Sequence, residues 1–122
     1  MKSIELLENL KTQEDFEENK VNDIFYRAYK TSKRVGLERM NFDHLGFESD
    51  QNEVIENIER FGIEEFTISN DSTALMEALH NFKKHGYKIV DLTEIETGSV
   101  GWNFENHTEE KEIKPAIIMK RI

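Results

Sequence analysis

Residues 66–95, FTISNDSTALMEALHNFKKHGYKIVDLTEI, run from a β-branched apolar stretch through a polar turn into helical spacing, and then back to a strand pattern. Leu75, Ala78, Leu79 and Phe82 share one face of a helix expected over 72–85, and Gly86 stops it. YKIVDLTEI at 87–95 has the apolar and β-branched content of a strand. A strand, a helix and a strand with short connections predict a parallel pair joined by a right-handed crossover.

The same unit precedes it. Met40 and Phe42 alternate with polar residues in a strand expected at 39–43. Val54, Ile55, Ile58 and Phe61 form the apolar face of a helix over 50–61, closed by Gly62. Asp50, followed three residues later by Glu53, has the form of a capping box at its start. A strand at 64–69 completes this unit and opens the next.

Upstream, residues 3–11 read as a short helix. A longer one is expected over 14–35, with Val21, Ile24, Phe25 and Ala28 as its buried stripe and Gly36 as its stop. Downstream, ETGSVG and NHTEEKE supply turn and loop residues around WNF, and IKPAIIMKRI forms a last strand. Pro115 lacks an N–H, which suits a strand start or a sheet edge. An antiparallel return beside 87–95 is the economical placement. The expected fold is α/β, a mixed sheet of about four strands (βαβαβ plus an antiparallel C-terminal strand) with packed helices. The whole chain reads as a single domain over 1–122, a helical N-terminal part at 1–37 leading into the α/β part at 38–122.

With 122 residues, 37% of them apolar and 34% charged, the chain can bury one core, and eight Phe, three Tyr and one Trp supply its bulk. The absence of cysteine excludes disulfides, thiolate metal sites and thiol nucleophiles. The N-terminus has no signal-peptide pattern, and the longest apolar run is AIIM at 116–119, so a cytoplasmic protein without a membrane span is expected. The net charge of −9 sits in the middle: residues 41–80 hold Arg60 against ten acids. That distribution argues against direct DNA binding, which needs clustered Lys and Arg.

Little in the sequence points to catalysis. Residues 69–73 could hold an anion at a helix N-terminus through Ser69, Asn70, Ser72 and Thr73. The glycines of a phosphate loop are missing, however, and Asp71 would repel an anion. Ordinary capping, at about 1 kcal/mol, accounts for the same residues. His80 and His85 are five apart and do not share a helix face, while His44 and His107 lack a ligand set. Asp43 and His44 point to opposite faces of a strand. No serine sits in a Gly-x-Ser-x-Gly elbow. No enzyme, no metal and no cofactor are expected.

The acidic middle carries the interaction reading. Glu48, Asp50, Glu53, Glu56, Glu59, Glu64 and Glu65 form a series of carboxylates, spaced by about 4.5 Å along the helix axis where they recur every three residues. They could face a positive groove of a nucleic-acid-binding protein or its ribonucleoprotein. The basic run RAYKTSKR at 27–34 is expected to be solvated, with contact to RNA or an acidic partner as its other use. Trp102 and Phe104 are expected in the core; exposed, they would be interface anchors.

The run FGIEEFTISNDSTALMEALHNFKKHGYKIVDLTEI at 61–95, with NFDHLGFE before it and a closing strand after it, resembles small proteins carried on plasmids, phages and integrative elements of Gram-positive bacteria. The resemblance covers roughly residues 39–122 and lies in the pattern of elements. Some proteins of that setting are anti-CRISPR inhibitors of type II-A RNA-guided nucleases. The resemblance therefore implies a stoichiometric inhibitor of a host RNA-guided nuclease. The alternative is a small-ligand or nucleotide sensor using the turn at 69–73.

Overall fold

The computed structural model describes residues 7–46, 48–69 and 74–122. Of the helix expected at 3–11, residues 7–9 are helical and 3–6 lie outside the described residues. The helix expected over 14–35 is two helices. The first, α1 (Gln13–Asn19), opens with a capping box in which the Thr12 side chain accepts from the Asp15 N–H and the Asp15 carboxylate accepts from the Thr12 N–H. It stops at Lys20, which takes the left-handed conformation with φ 55°. Asn22 then caps α2 (Asp23–Val35), accepting from the Ile24 N–H at 2.8 Å. Apolar periodicity ran through this break because Val21, beside the kink, is still buried. The local signals were the Thr12–Asp15 box and an Asn–Asp pair at a helix start.

After β1 (Met40–Phe42) comes α3 (Glu48–Arg60). It is already helical at Glu48, so Asp50 and Glu53 are interior residues and the capping box expected from them does not form. β2 (Glu65–Ile68), α4 (Leu75–Lys84), β3 (Tyr87–Asn103) and β4 (Thr108–Arg121) complete the chain.

The four-stranded sheet has the order β1-β2-β4-β3. β1 and β2 are the expected parallel pair, with Met40 opposite Phe66. β2 and β3, expected to pair, do not touch edge to edge. β4 lies between them, antiparallel to both: Phe66 is opposite Met119, and Ile89 is opposite Met119 from the other side. The reason lies in AIIM. A strand with neighbours on both edges and packing on both faces reads as an unbroken apolar run, and Ala116, Ile118 and Met119 are all buried. Pro115 stands just before Ile117, where β2 begins to pair, so β4 there has β3 on one side only.

β3 and β4 are also longer than expected. ETGSVG is not a loop: β3 runs through it with a ladder irregularity between Glu96 and Val100, and the chain turns at 104–107 with His107 at φ 53°. Thr97 and Ser99 keep strand geometry because the long partner strand pairs on both sides of the irregularity.

A row of rings crosses the core. Phe61 stacks on Phe25 at 5.5 Å, Phe25 meets Phe42, Phe42 meets Phe66 edge-on at 5.6 Å, and Phe66 meets Phe82 and Tyr87. The row joins α2 and α3 to α4 through the sheet. Buried polar groups between β1 and β2 are satisfied: Thr67 Oγ1 donates to Asn41 Oδ1 at 2.6 Å, and the Asn41 N–H donates to Ser32 Oγ at 2.9 Å. Phe66→Ala, in the middle of the row, should cost about 3–5 kcal/mol in urea unfolding.

The Tyr87 hydroxyl is buried with no hydrogen-bond partner among the described residues. Burial, and secondarily the charge of Glu59, raise its pKa above the ordinary 10.0. The folded state thus favours the neutral phenol. This contribution is fully present below the unfolded pKa and is lost as pH rises through the folded value. Tyr87→Phe should therefore raise stability by about 1 kcal/mol at neutral pH. It should also flatten the alkaline loss of melting temperature relative to the wild type.

Candidate interaction surface

Asp50, Glu53, Asn57 and Arg60 fall at i, i+3, i+7 and i+10 of α3, which places them along one face. That face grips the elbow at residues 19–22 between α1 and α2. Asn22 Nδ2 donates to Asp50 Oδ1 at 3.3 Å and to Glu53 Oε2 at 2.6 Å. Asn57, wholly buried, accepts the Asn22 N–H at 2.8 Å and donates to the Lys20 carbonyl at 3.1 Å. Arg60 donates to the carbonyls of Asn19 and Lys20 at 2.8 and 2.9 Å. Backbone groups that the end of α1 would leave orphaned are thereby satisfied from a helix some forty positions further on.

The elbow and α3 enclose an open groove of about 800 Å³. Among the described residues, Glu17 of α1, Asp23 of α2, and Glu53 and Glu56 of α3 line it, with Lys20 as the one cation of that lining and Phe16 and Val21 as its apolar part. Glu56 is held by Asn57 Nδ2 at 2.7 Å and lies 3.6 Å from Arg60. Asp23 pairs with Arg27 at 2.8 Å.

The structure divides the carboxylates expected to act together. A spacing of three residues turns back by about 60° at each step, so Asp50 and Glu59 lie about 180° apart around α3. Asp50, Glu53 and Glu56 are on or beside the groove. Glu59 is exposed on another face, where its charge is felt by Tyr87. Glu64 is exposed, and its backbone carbonyl accepts from the Arg121 N–H at 2.8 Å. Glu65 starts β2 and is paired with Arg39 at 2.8 Å, while Glu48 is the first residue of α3. Glu17 and Asp23 join the groove only because of the elbow at Lys20, which a continuous helix would have removed.

The other expected features resolve as follows. Ser69 accepts from Asn41 Nδ2 at 3.0 Å, and its N–H donates to the Phe42 carbonyl at 3.0 Å. Asn70, Ser72 and Thr73 lie outside the described residues. α4 starts at Leu75 with Ala74 at its cap position and no side-chain cap bond, so the capping expected of this turn is not made at that position. Among the described residues no cluster of His, Asp and Glu could hold a metal ion, and no helix is long and apolar enough to cross a membrane. In the basic run, Lys33 pairs with Glu8, Tyr29 Oη donates to Glu8 at 3.2 Å, and Lys30 lies 5.7 Å from the centre of the Tyr26 ring. The Lys33 partner, first, and then Tyr29 lower the pKa of the Glu8 carboxyl. Trp102 and Phe104, expected in the core, are exposed, because the strands that carry them extend past the edge of β2.

A domain of unknown function, DUF7698, matches residues 24–121, which is α2 through β4. The chain belongs to the DUF7698 family. No curated protein and no solved structure matches it. The DUF7698 region holds the sheet, α3 and the long hairpin; α1, which brings Glu17 to the groove, precedes it.

The grip on the elbow has a measurable consequence. Asn57→Ala leaves the Asn22 N–H without its buried partner and the Lys20 carbonyl with Arg60 alone. It should cost about 1–3 kcal/mol in urea unfolding while the circular dichroism of the sheet is retained.

Proposed function

We propose that the protein is a non-catalytic binding protein whose groove takes a basic element of a protein partner, one partner per chain. The supporting observation is the lining of the groove among the described residues: four carboxylates and Lys20 beside Phe16 and Val21, with Asp23 and Glu56 paired to Arg27 and Arg60 and Glu17 and Glu53 facing no cation of their own. A Lys- or Arg-bearing helix or loop satisfies both parts of that lining, and the net charge of −9 speeds its approach. Proteins that bind nucleic acid carry such elements, and a chain occupying one competes with phosphate. The narrower form of the reading is inhibition of a host RNA-guided nuclease, in the cytoplasm. It rests on the sequence resemblance to mobile-element proteins.

Glu53 and Glu56 also hold Asn22 and Asn57, so reversing them disturbs the elbow as well as the charge. Glu17 has no such role among the described residues and tests charge alone. Guided DNA cleavage by type II-A nucleases, titrated with the protein before and after guide loading, tests the narrower form. Stoichiometric loss of cleavage is expected, weakened about tenfold by Glu17→Lys and abolished by Glu53→Lys with Glu56→Lys. Normal cleavage at large excess across several such nucleases would remove that form.

A further inference from the structure

Beyond the end of β2, the strands β3 and β4 continue as a two-stranded ribbon. β2 pairs with β4 only from Ile117 to Lys120, whereas the β3–β4 ladder runs on to Asn103 opposite Thr108. Residues directly opposite each other in an antiparallel pair share a face, as do residues two apart on one strand. Ile113 is opposite Glu96, Lys111 opposite Val100 and Glu109 opposite Trp102, so Val100, Trp102 and Ile113 lie on one face of the ribbon. Their exposures are 64%, 50% and 56%, and Phe104 in the turn is 81% exposed. Scattered apolar residues on a surface need no explanation, but four on one projecting element, three of them on a face shared with Glu96, Glu109 and Lys111, make that element amphipathic.

The ribbon is held in place. At Gly98 (φ 87°) a side chain would fall 2.8 Å from Val35 and 2.9 Å from Arg34 of α2, so the glycine lets the ribbon close on that helix end. Lys111 bridges to Glu96 at 3.7 Å, and Thr97 Oγ1 donates to Glu112 at 2.9 Å. The apolar residues are therefore presented on an anchored element, which lowers the cost of ordering them in a complex.

Charge decides what can cover it. Residues 94–114 carry six Glu against Lys111 and Lys114, a net charge of −4. An anionic lipid surface, a nucleic acid and the ribbon of a second copy would each be repelled. A protein face with an apolar cleft and a basic rim is complementary in both respects. We infer that the ribbon is a docking arm, which seats Trp102 and Phe104 in an apolar cleft of a basic protein partner while its carboxylates meet the rim. The inference deepens the proposal of a basic partner and rests on it, through residues separate from the groove.

Trp102 is the only tryptophan in the chain, so its emission reports on the arm directly. The full chain is titrated with an amphipathic peptide of Lys and Leu, with oligolysine, and with phosphatidylcholine vesicles with and without phosphatidylglycerol; it is also diluted alone. A saturable shift to shorter wavelength is expected with the Lys–Leu peptide and not with oligolysine. Phe104→Ser should abolish the shift and Glu94→Lys with Glu109→Lys should weaken it about tenfold, each with unchanged circular dichroism. Glu17→Lys should leave the shift intact, which separates the arm from the groove: a groove that fails in the cleavage titration leaves this signal in place. No shift with the peptide, a shift with vesicles, or a shift that follows the protein's own concentration would each overturn the docking arm.

Discussion

The sheet is held together by its last strand. Among the described residues β4 alone pairs with both β2 and β3, and it links the parallel pair at one side to the long edge strand at the other. Glu65 reaches Lys120 across the ladder, a contact that waits for the C-terminal end of the chain. Closing it costs loop entropy before it returns any stabilisation. The buried Ala116, Ile118 and Met119 offset that cost, and Met119, opposite Phe66 on one side and Ile89 on the other, belongs to the same core as the ring row.

A second constraint shapes the surface. Asn57 is an amide with no exposure, and both ends of it bind backbone of the elbow. A buried amide tolerates one geometry, because a small displacement leaves donors and acceptors unpaired at the full cost of their desolvation. α1 is therefore held at one angle to α3. The groove is the space that this angle leaves, and its charge comes from both walls. Two of the acids on α3 serve the fold as well as the surface, which explains why a helix so rich in Glu is stable: Asn22, Asn57 and Arg60 bind carboxylates that would otherwise only repel one another.

Two unlike surfaces result. The groove is acidic and built across the start of the family region, while the ribbon, wholly inside that region, carries Val100, Trp102 and Ile113 on one face together with Glu96, Lys111 and Glu109. The basic run of α2 touches both at its ends, since Arg27 pairs with Asp23 of the groove and Arg34 lies against Gly98 of the ribbon, while Lys30 and Lys33 are met by Tyr26 and Glu8.

Much of the fold was legible in the chain. Helical and two-residue periodicities act over a few neighbours, so α2, α3, α4, β1 and β2 were visible locally, as was the parallel pairing of β1 with β2 across a short crossover. The expected antiparallel return beside β3 was also correct. What sequence spacing could not decide was the other edge of β4. Pairing partners far apart in the chain are chosen by which arrangement buries AIIM on both faces, a property of the assembled sheet. The break at Lys20 was written locally in Thr12, Asp15 and Asn22 but was masked by the apolar stripe that continues through Val21. For the site, composition determined by itself that the chain is acidic, cysteine-free and lacking phosphate-loop or nucleophile motifs. Only the tertiary structure decided which acids share a surface, because a helix turns by about 100° per residue and carboxylates adjacent in sequence can face opposite ways. It likewise decided that Trp102 and Phe104 stand in solvent: the hairpin that carries them outruns the strand that would have covered it.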